Sequence, residues 1–154
     1  MKRAGKIILP LALSLFSFAA TMAREPSVEV RAVLVSALND TVILTPGGEA
    51  PVCNAPLRVS FESALISDDG GYVMFPQWVI TRQVPGRETP EQYLKRQDAS
   101  SSFTFEDDGE FQIRFEWSYK GTNSVETVPG ADVEPMKFSI DASDIRTYNA
   151  FSPN

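Results

Sequence analysis

The chain has no histidine, and only one cysteine in its 154 residues. Without histidine there is no Ser-His-Asp triad and no imidazole-based metal site. One cysteine, Cys53, cannot close an internal disulfide, so the core must hold without a covalent staple. With no imidazole to activate it, Cys53 lacks the usual partner of a nucleophilic thiol. It is expected as a small, half-buried apolar residue, with an intermolecular disulfide as the other possibility. No Gly-rich phosphate loop occurs, because Gly47-Gly48 sits in a hairpin-like context and opens no helix. Basic residues are also scarce. The whole chain has 14 Lys+Arg against 20 Asp+Glu. Three of the basic residues (Lys2, Arg3 and Lys6) and none of the acidic ones fall in the first 23 positions. From Arg24 onward the balance is therefore 11 basic to 20 acidic, a net −9. Such a surface repels phosphate backbones and anionic membranes, so nucleic acid is not an expected partner.

The N-terminus reads as a signal peptide. Its charged start precedes an apolar run from Ile7 to Ala20, broken once by Pro10, and Thr21-Met22-Ala23 supplies small residues where a signal peptidase cuts. The run is short for a membrane span, and no cysteine follows it to take a lipid. The mature chain is expected to begin near Arg24, exported and with no transmembrane span.

Beyond the leader the dominant period is two. Phe111, Ile113, Phe115, Trp117 and Tyr119 alternate with Glu110, Gln112, Arg114, Glu116 and Ser118. That pattern predicts a strand with one buried and one wet face. Met136, Phe138 and Ile140 repeat it, as do Val59, Phe61 and Leu65, and Phe103 with Phe105. Tyr72 to Thr81, Val28 to Val35 and Thr41 to Thr45 complete the strands. Pro46-Gly47-Gly48, Asp68 to Gly71, Asp107-Asp108-Gly109, Lys120 to Asn123 and Pro129-Gly130 supply the reversals. Seven or eight strands so punctuated predict an all-β antiparallel sandwich of immunoglobulin type, with Trp78 and Trp117 as the largest core pieces. One stretch departs from the pattern. Thr89 as a cap, Pro90 in the first turn and Gln92 in a capping box predict a short helix near 90–97.

The chemistry-bearing candidates are few. The Asp68-Asp69 and Asp107-Asp108 pairs before glycine suit turns. They could also offer oxygens to calcium, though not at the spacing of an EF-hand loop. Nothing sets them across a cleft as the two carboxylates of a glycosidase. No catalytic residue, cofactor or metal is expected. Trp78, Trp117 and Tyr119 are the candidates for a ligand-stacking platform, which requires two rings side by side on one solvent face. The strand pattern favours burial in the core for all three over such a platform.

Two stretches resemble known families. Phe103-Thr104-Phe105-Glu106-Asp107-Asp108-Gly109-Glu110-Phe111-Gln112-Ile113-Arg114-Phe115 resembles the strand pair of PKD-like domains, with Phe111 where that family has tyrosine. The family's Trp-Asp-Phe-Gly-Asp-Gly run is absent, which makes the resemblance that of a divergent member. The final Ser143 to Asn154, closing on Asn149-Ala150-Phe151-Ser152-Pro153-Asn154, resembles the start of the gliding-motility-associated C-terminal domain. Tyr148 stands for its usual proline, and the Gly-Asp-Gly that should come after Asn154 is not in the sequence. The resemblance implies a surface or secreted protein of a Gram-negative envelope, sorted by type IX secretion through a domain cut off here. The expected organisation is a signal peptide (1–23), N-terminal strands as a lead-in (24–45), a PKD-like sandwich (46–143) and a linker (144–154). The implied role is a non-catalytic spacer or binding module, with a cell-surface protein or glycan as possible partner. A carbohydrate-binding module, or an adhesin or pilus subunit that exchanges strands, are the alternatives. The domain is expected to fold as a single copy.

Overall fold

The computed structural model describes residues 24–68 and 70–141. The signal peptide and the sorting-domain resemblance therefore lie outside the described residues. Ten strands form two sheets: β1 (Ser27–Val35), β2 (Thr41–Leu44), β3 (Val52–Asn54), β4 (Leu57–Ile66), β5 (Tyr72–Gln83), β6 (Glu91–Arg96), β7 (Ser100–Phe105), β8 (Gly109–Gly121), β9 (Val128–Pro129) and β10 (Met136–Asp141). The first sheet runs β2-β1-β4-β7. The second runs β3-β10-β8-β5-β6, with β9 also on β8. β4 and β7 take the places of immunoglobulin strands B and E, and β5, β8 and β10 those of C, F and G. The two sheets pack face to face and neither closes into a barrel.

The period-two residues explain the layers. β8 puts Phe111, Ile113, Phe115, Trp117 and Tyr119 inward, all buried. Across the gap β4 offers Leu57, Val59 and Phe61, and β1 offers Val30, Ala32 and Leu34. Trp78 of β5 lies between them without solvent exposure. Its ring is 5.3 Å from Phe61 of the opposite sheet and 4.6 Å from Phe115 of its neighbour strand. Its indole N–H donates to the Asp98 carbonyl at 2.9 Å, so the one polar atom of the ring is satisfied. A second cluster joins Phe105, Phe111 and Phe138, with ring centres 5.0–5.3 Å apart. No buried residue among those described is polar or charged. Burial of each Phe is worth about 1.5–3 kcal/mol, so these rings dominate the core.

Three features depart from the sequence expectation. No helix forms near 90–97: Glu91–Arg96 is β6, paired antiparallel with β5, with Leu94 buried opposite Ile80. A helix of that length is unstable alone, whereas the edge of β5 offers ready backbone partners and an apolar seat for Leu94. The capping residues lose to that pairing. Among the described residues the strands number ten, because β3 and β9 are too short to leave a periodic trace. The pairing is not wholly antiparallel either, since β3 runs parallel to β10. The chain then crosses to the first sheet through the cis Ala55–Pro56 bond. The N-terminal strands expected within 24–45 do form, as β1 and β2, and they supply half of the first sheet.

Pairing also fixes the poles of the sandwich. Ser27, at the start of β1, pairs with Ile66 at the end of β4. The next turn leads to Tyr72, which pairs with Gly121. At the other end Ile140 of β10 pairs with Gly109. The chain thus enters at the Gly121 pole and leaves at the Gly109 pole.

Candidate functional site

The three candidates for a stacking platform, Trp78, Trp117 and Tyr119, are buried core residues, the reading that the strand pattern favours, and so form no platform. Trp78 is enclosed between the sheets. Trp117 and Tyr119 continue the inward alternation of β8, so pleating alone turns them from solvent. Trp117 is sealed by the backbone of Gly130. Gly130 N–H donates to the Trp117 carbonyl at 2.8 Å, and the Trp117 indole N–H donates to the Ala131 carbonyl at 2.9 Å. A Cβ on Gly130 would overlap the indole ring, which is why glycine stands there. Tyr119 packs beside Trp117 and edge-on to Tyr72, with centroids 5.5 and 5.6 Å away.

The densest cluster of titratable groups lies at the opposite pole. Arg82 of β5 donates through Nε to the Asp108 carbonyl at 2.7 Å and through a terminal nitrogen to Asp108 Oδ1 at 3.2 Å. Its other terminal nitrogen reaches Glu91 Oε1 at 3.4 Å, and its guanidinium carbon lies 6.0 Å from the centre of the Tyr93 ring. The Tyr93 hydroxyl donates to Asp107 Oδ2 at 2.7 Å, and Arg87 adds a 2.8 Å contact to Glu91. Burial, then the Asp107 carboxylate, push the Tyr93 hydroxyl up to about 12. Gly109 completes the turn at φ 136°, where a Cβ would come within 3.0 Å of the Gln83 carbonyl. Every charge here has a partner. The cluster therefore works as a clasp that fastens the β7–β8 turn to β5 and β6. Asp107 and Asp108 thus act as turn and clasp residues.

Of the other acidic pair, Asp68 is exposed and Asp69 lies outside the described residues. The Ser67 hydroxyl accepts from Gly70 N–H at 3.0 Å in that turn. Cys53 sits half-buried in β3, and burial pushes its thiol up, away from the thiolate a nucleophile needs.

What faces solvent differs from what the sequence singled out. On the outer face of the second sheet a shallow groove of about 620 Å³ runs past Phe75, Gln77, Glu116, Ser118 and Pro129. Phe75 is 44% exposed, Lys120 Nζ lies 5.9 Å from its ring centre, and Gln77 donates to Glu116 at 3.0 Å. One aromatic face flanked by an amide, a carboxylate and an ammonium can hold a flat, hydroxyl-rich ring. Phe75 is outward because it is offset by one from Met74 and Pro76 on the pleated strand, a signal that the sequence carries. The second open feature is the edge strand β2, where Val42 is 41% and Ile43 57% exposed. Compared with protein-family models, with curated proteins and with solved structures, the chain matches none.

Proposed function

We propose that the chain is a non-catalytic, exported β-sandwich module that spaces or presents a neighbouring segment at the surface of a Gram-negative cell. In this reading it belongs to a type IX-secreted, gliding-motility-associated kind of protein. The observation that carries the proposal is the placement of the two poles. The chain enters beside Gly121 and leaves beside Gly109, at opposite ends of the thirteen-residue β8. At about 3.3 Å per residue this sets the two poles of the sandwich, marked by Ser27 and Asp141, about 40 Å apart. A module whose ends lay side by side would add no reach. The leader-like first 23 residues and the acidic remainder support export, and the Ser143–Asn154 resemblance supports the sorting route.

The test is made in the cells that produce the protein. The product should begin near Arg24 and be digested by protease added to intact cells. An unprocessed chain retained inside the inner membrane overturns export. A processed chain digested only after the outer membrane is opened overturns surface placement.

A second reading rests on Phe75. If the module also binds glycan, the outer groove is the seat, and Phe75→Ala abolishes retention on the bound polysaccharide while leaving the melting temperature within a few degrees.

A further inference from the structure

Among the described residues five strands have an open side: β2, β3, β6, β7 and β9. β6 carries Glu91, Lys95 and Arg96, β3 is three residues long between Pro51 and Pro56, and β9 is two residues ending on Pro129, while β7 has no charge or proline but exposes only serine and threonine. Charges, prolines and shortness are the usual means of preventing a sheet edge from pairing with another chain. β2, flanked by Asp40 and Pro46, has no charge or proline within residues 41–45 and, unlike β7, turns aliphatic side chains to solvent. Its exposed Val42 and Ile43 adjoin Leu38 of the β1–β2 hairpin, 83% exposed.

The backbone phase of this edge is set by the hairpin. Ser36 N–H donates to the Asp40 carbonyl at 3.0 Å, and β1 pairs Leu34 with Val42 and Ala32 with Leu44. Antiparallel pairs alternate between bonded and non-bonded, so Val42 and Leu44 bond inward to β1. Thr41 and Ile43 then turn their N–H and C=O groups outward, to the open side. A two-fold partner strand must therefore centre on one of the outward residues. Centred on Ile43, the segment Thr41-Val42-Ile43-Leu44-Thr45 reads the same in both directions in kind: threonine, aliphatic, isoleucine, aliphatic, threonine.

We propose that β2 pairs antiparallel with β2 of a second copy of this chain, about a two-fold axis at Ile43. Ile43 then exchanges both backbone bonds with Ile43 of the other copy, and Thr41 bonds with Thr45. Residues directly opposite share a face, so Val42 meets Leu44 on the core side and Ile43 meets Ile43 on the outer side. No charged side chain stands within the five-residue overlap, so the net −9 of each copy is kept off the seam. The two four-stranded sheets become one of eight strands, a closed isologous dimer. This proposal sets two copies against the single copy expected from the sequence, and it stands apart from the spacer reading, which its failure would leave intact.

The test uses the exported chain in sedimentation equilibrium across a range of concentrations up to roughly 0.1 mM. A dimer is expected, with dissociation about tenfold or more easier in Ile43→Lys and unchanged in Val125→Lys, a control at a residue 96% exposed elsewhere. Ile43 points outward, so both variants should keep the wild-type circular dichroism and melting temperature. A bonded antiparallel pair holds its Cα atoms about 5.5 Å apart, within disulfide range. Ile43→Cys in a Cys53→Ser background should therefore oxidise to a covalent dimer. A wild-type chain that stays monomeric overturns the proposal. So does a dimer indifferent to Ile43→Lys, or one that Ile43→Cys fails to crosslink.

Discussion

The two ends of the long β5–β8 pair are held by opposite kinds of chemistry. At the Gly109 end the turn is tied by charges: Arg82 to Asp108 and Glu91, Tyr93 to Asp107. At the Gly121 end the strands are sealed by rings, with Tyr72, Trp117 and Tyr119 packed together and the backbone of Gly130 over Trp117. The first end depends on ionisation and salt, the second on fit. Partly exposed ion pairs contribute modestly and weaken with ionic strength, whereas apolar packing is insensitive to screening and intolerant of added volume.

The largest expected effect comes from breaking the fit. In Gly130→Val the new side chain must displace either the indole or β9, at a cost of about 1–3 kcal/mol. The melting temperature should fall, and Trp117 should emit at longer wavelength as β9 lifts. An unchanged emission spectrum would mean that the Gly130 backbone does not cover the ring. A smaller loss is expected from Arg82→Met, which keeps the aliphatic stem but removes the guanidinium. About 1 kcal/mol should go at low salt, and the gap from wild type should narrow in 1 M NaCl. A gap independent of salt would show that the stem, not the charge, fastens the turn. The smallest effect at neutral pH, and the most diagnostic, belongs to Tyr93. Its folded-state value of about 12 lies above the unfolded value near 10. The native state thus holds the proton more tightly, and this contribution is complete below pH 10 and lost as the pH rises from 10 to 12. Tyr93→Phe should flatten that alkaline decline relative to wild type in urea titrations. Parallel curves for the two proteins above pH 10 would remove Tyr93 from the clasp.

The contrast also separates what could be read in advance from what could not. Trp117 and Tyr119 continue Phe111, Ile113 and Phe115 at strict period two, so their burial is written in local sequence, and so is the sandwich that such strands require. The clasp is not local. Arg82 and Asp108 lie 26 residues apart, and only the register of β5 against β8 brings them together. β6 forms a strand and not the expected helix for a related reason. Thr89, Pro90 and Gln92 are sound helix-start residues, but the open edge of β5 outweighs them. The Thr41–Thr45 run is plainly strand-forming, yet whether a strand lies at an edge or inside a sheet depends on every other strand.

The placement of β1 and β10 has a mechanical consequence. A tensile load applied between Glu25 and Asp141 runs along the strands, because the chain enters at one pole and leaves at the other. The bonds from β1 to β4 and from β10 to β8 lie across that direction, so they resist in shear and must fail together. Had both ends emerged at one pole, the same bonds would open in sequence, like a zip. A domain with this geometry is suited to transmitting pull along its axis, and under force its lifetime is set by the barrier to unfolding more than by its equilibrium stability.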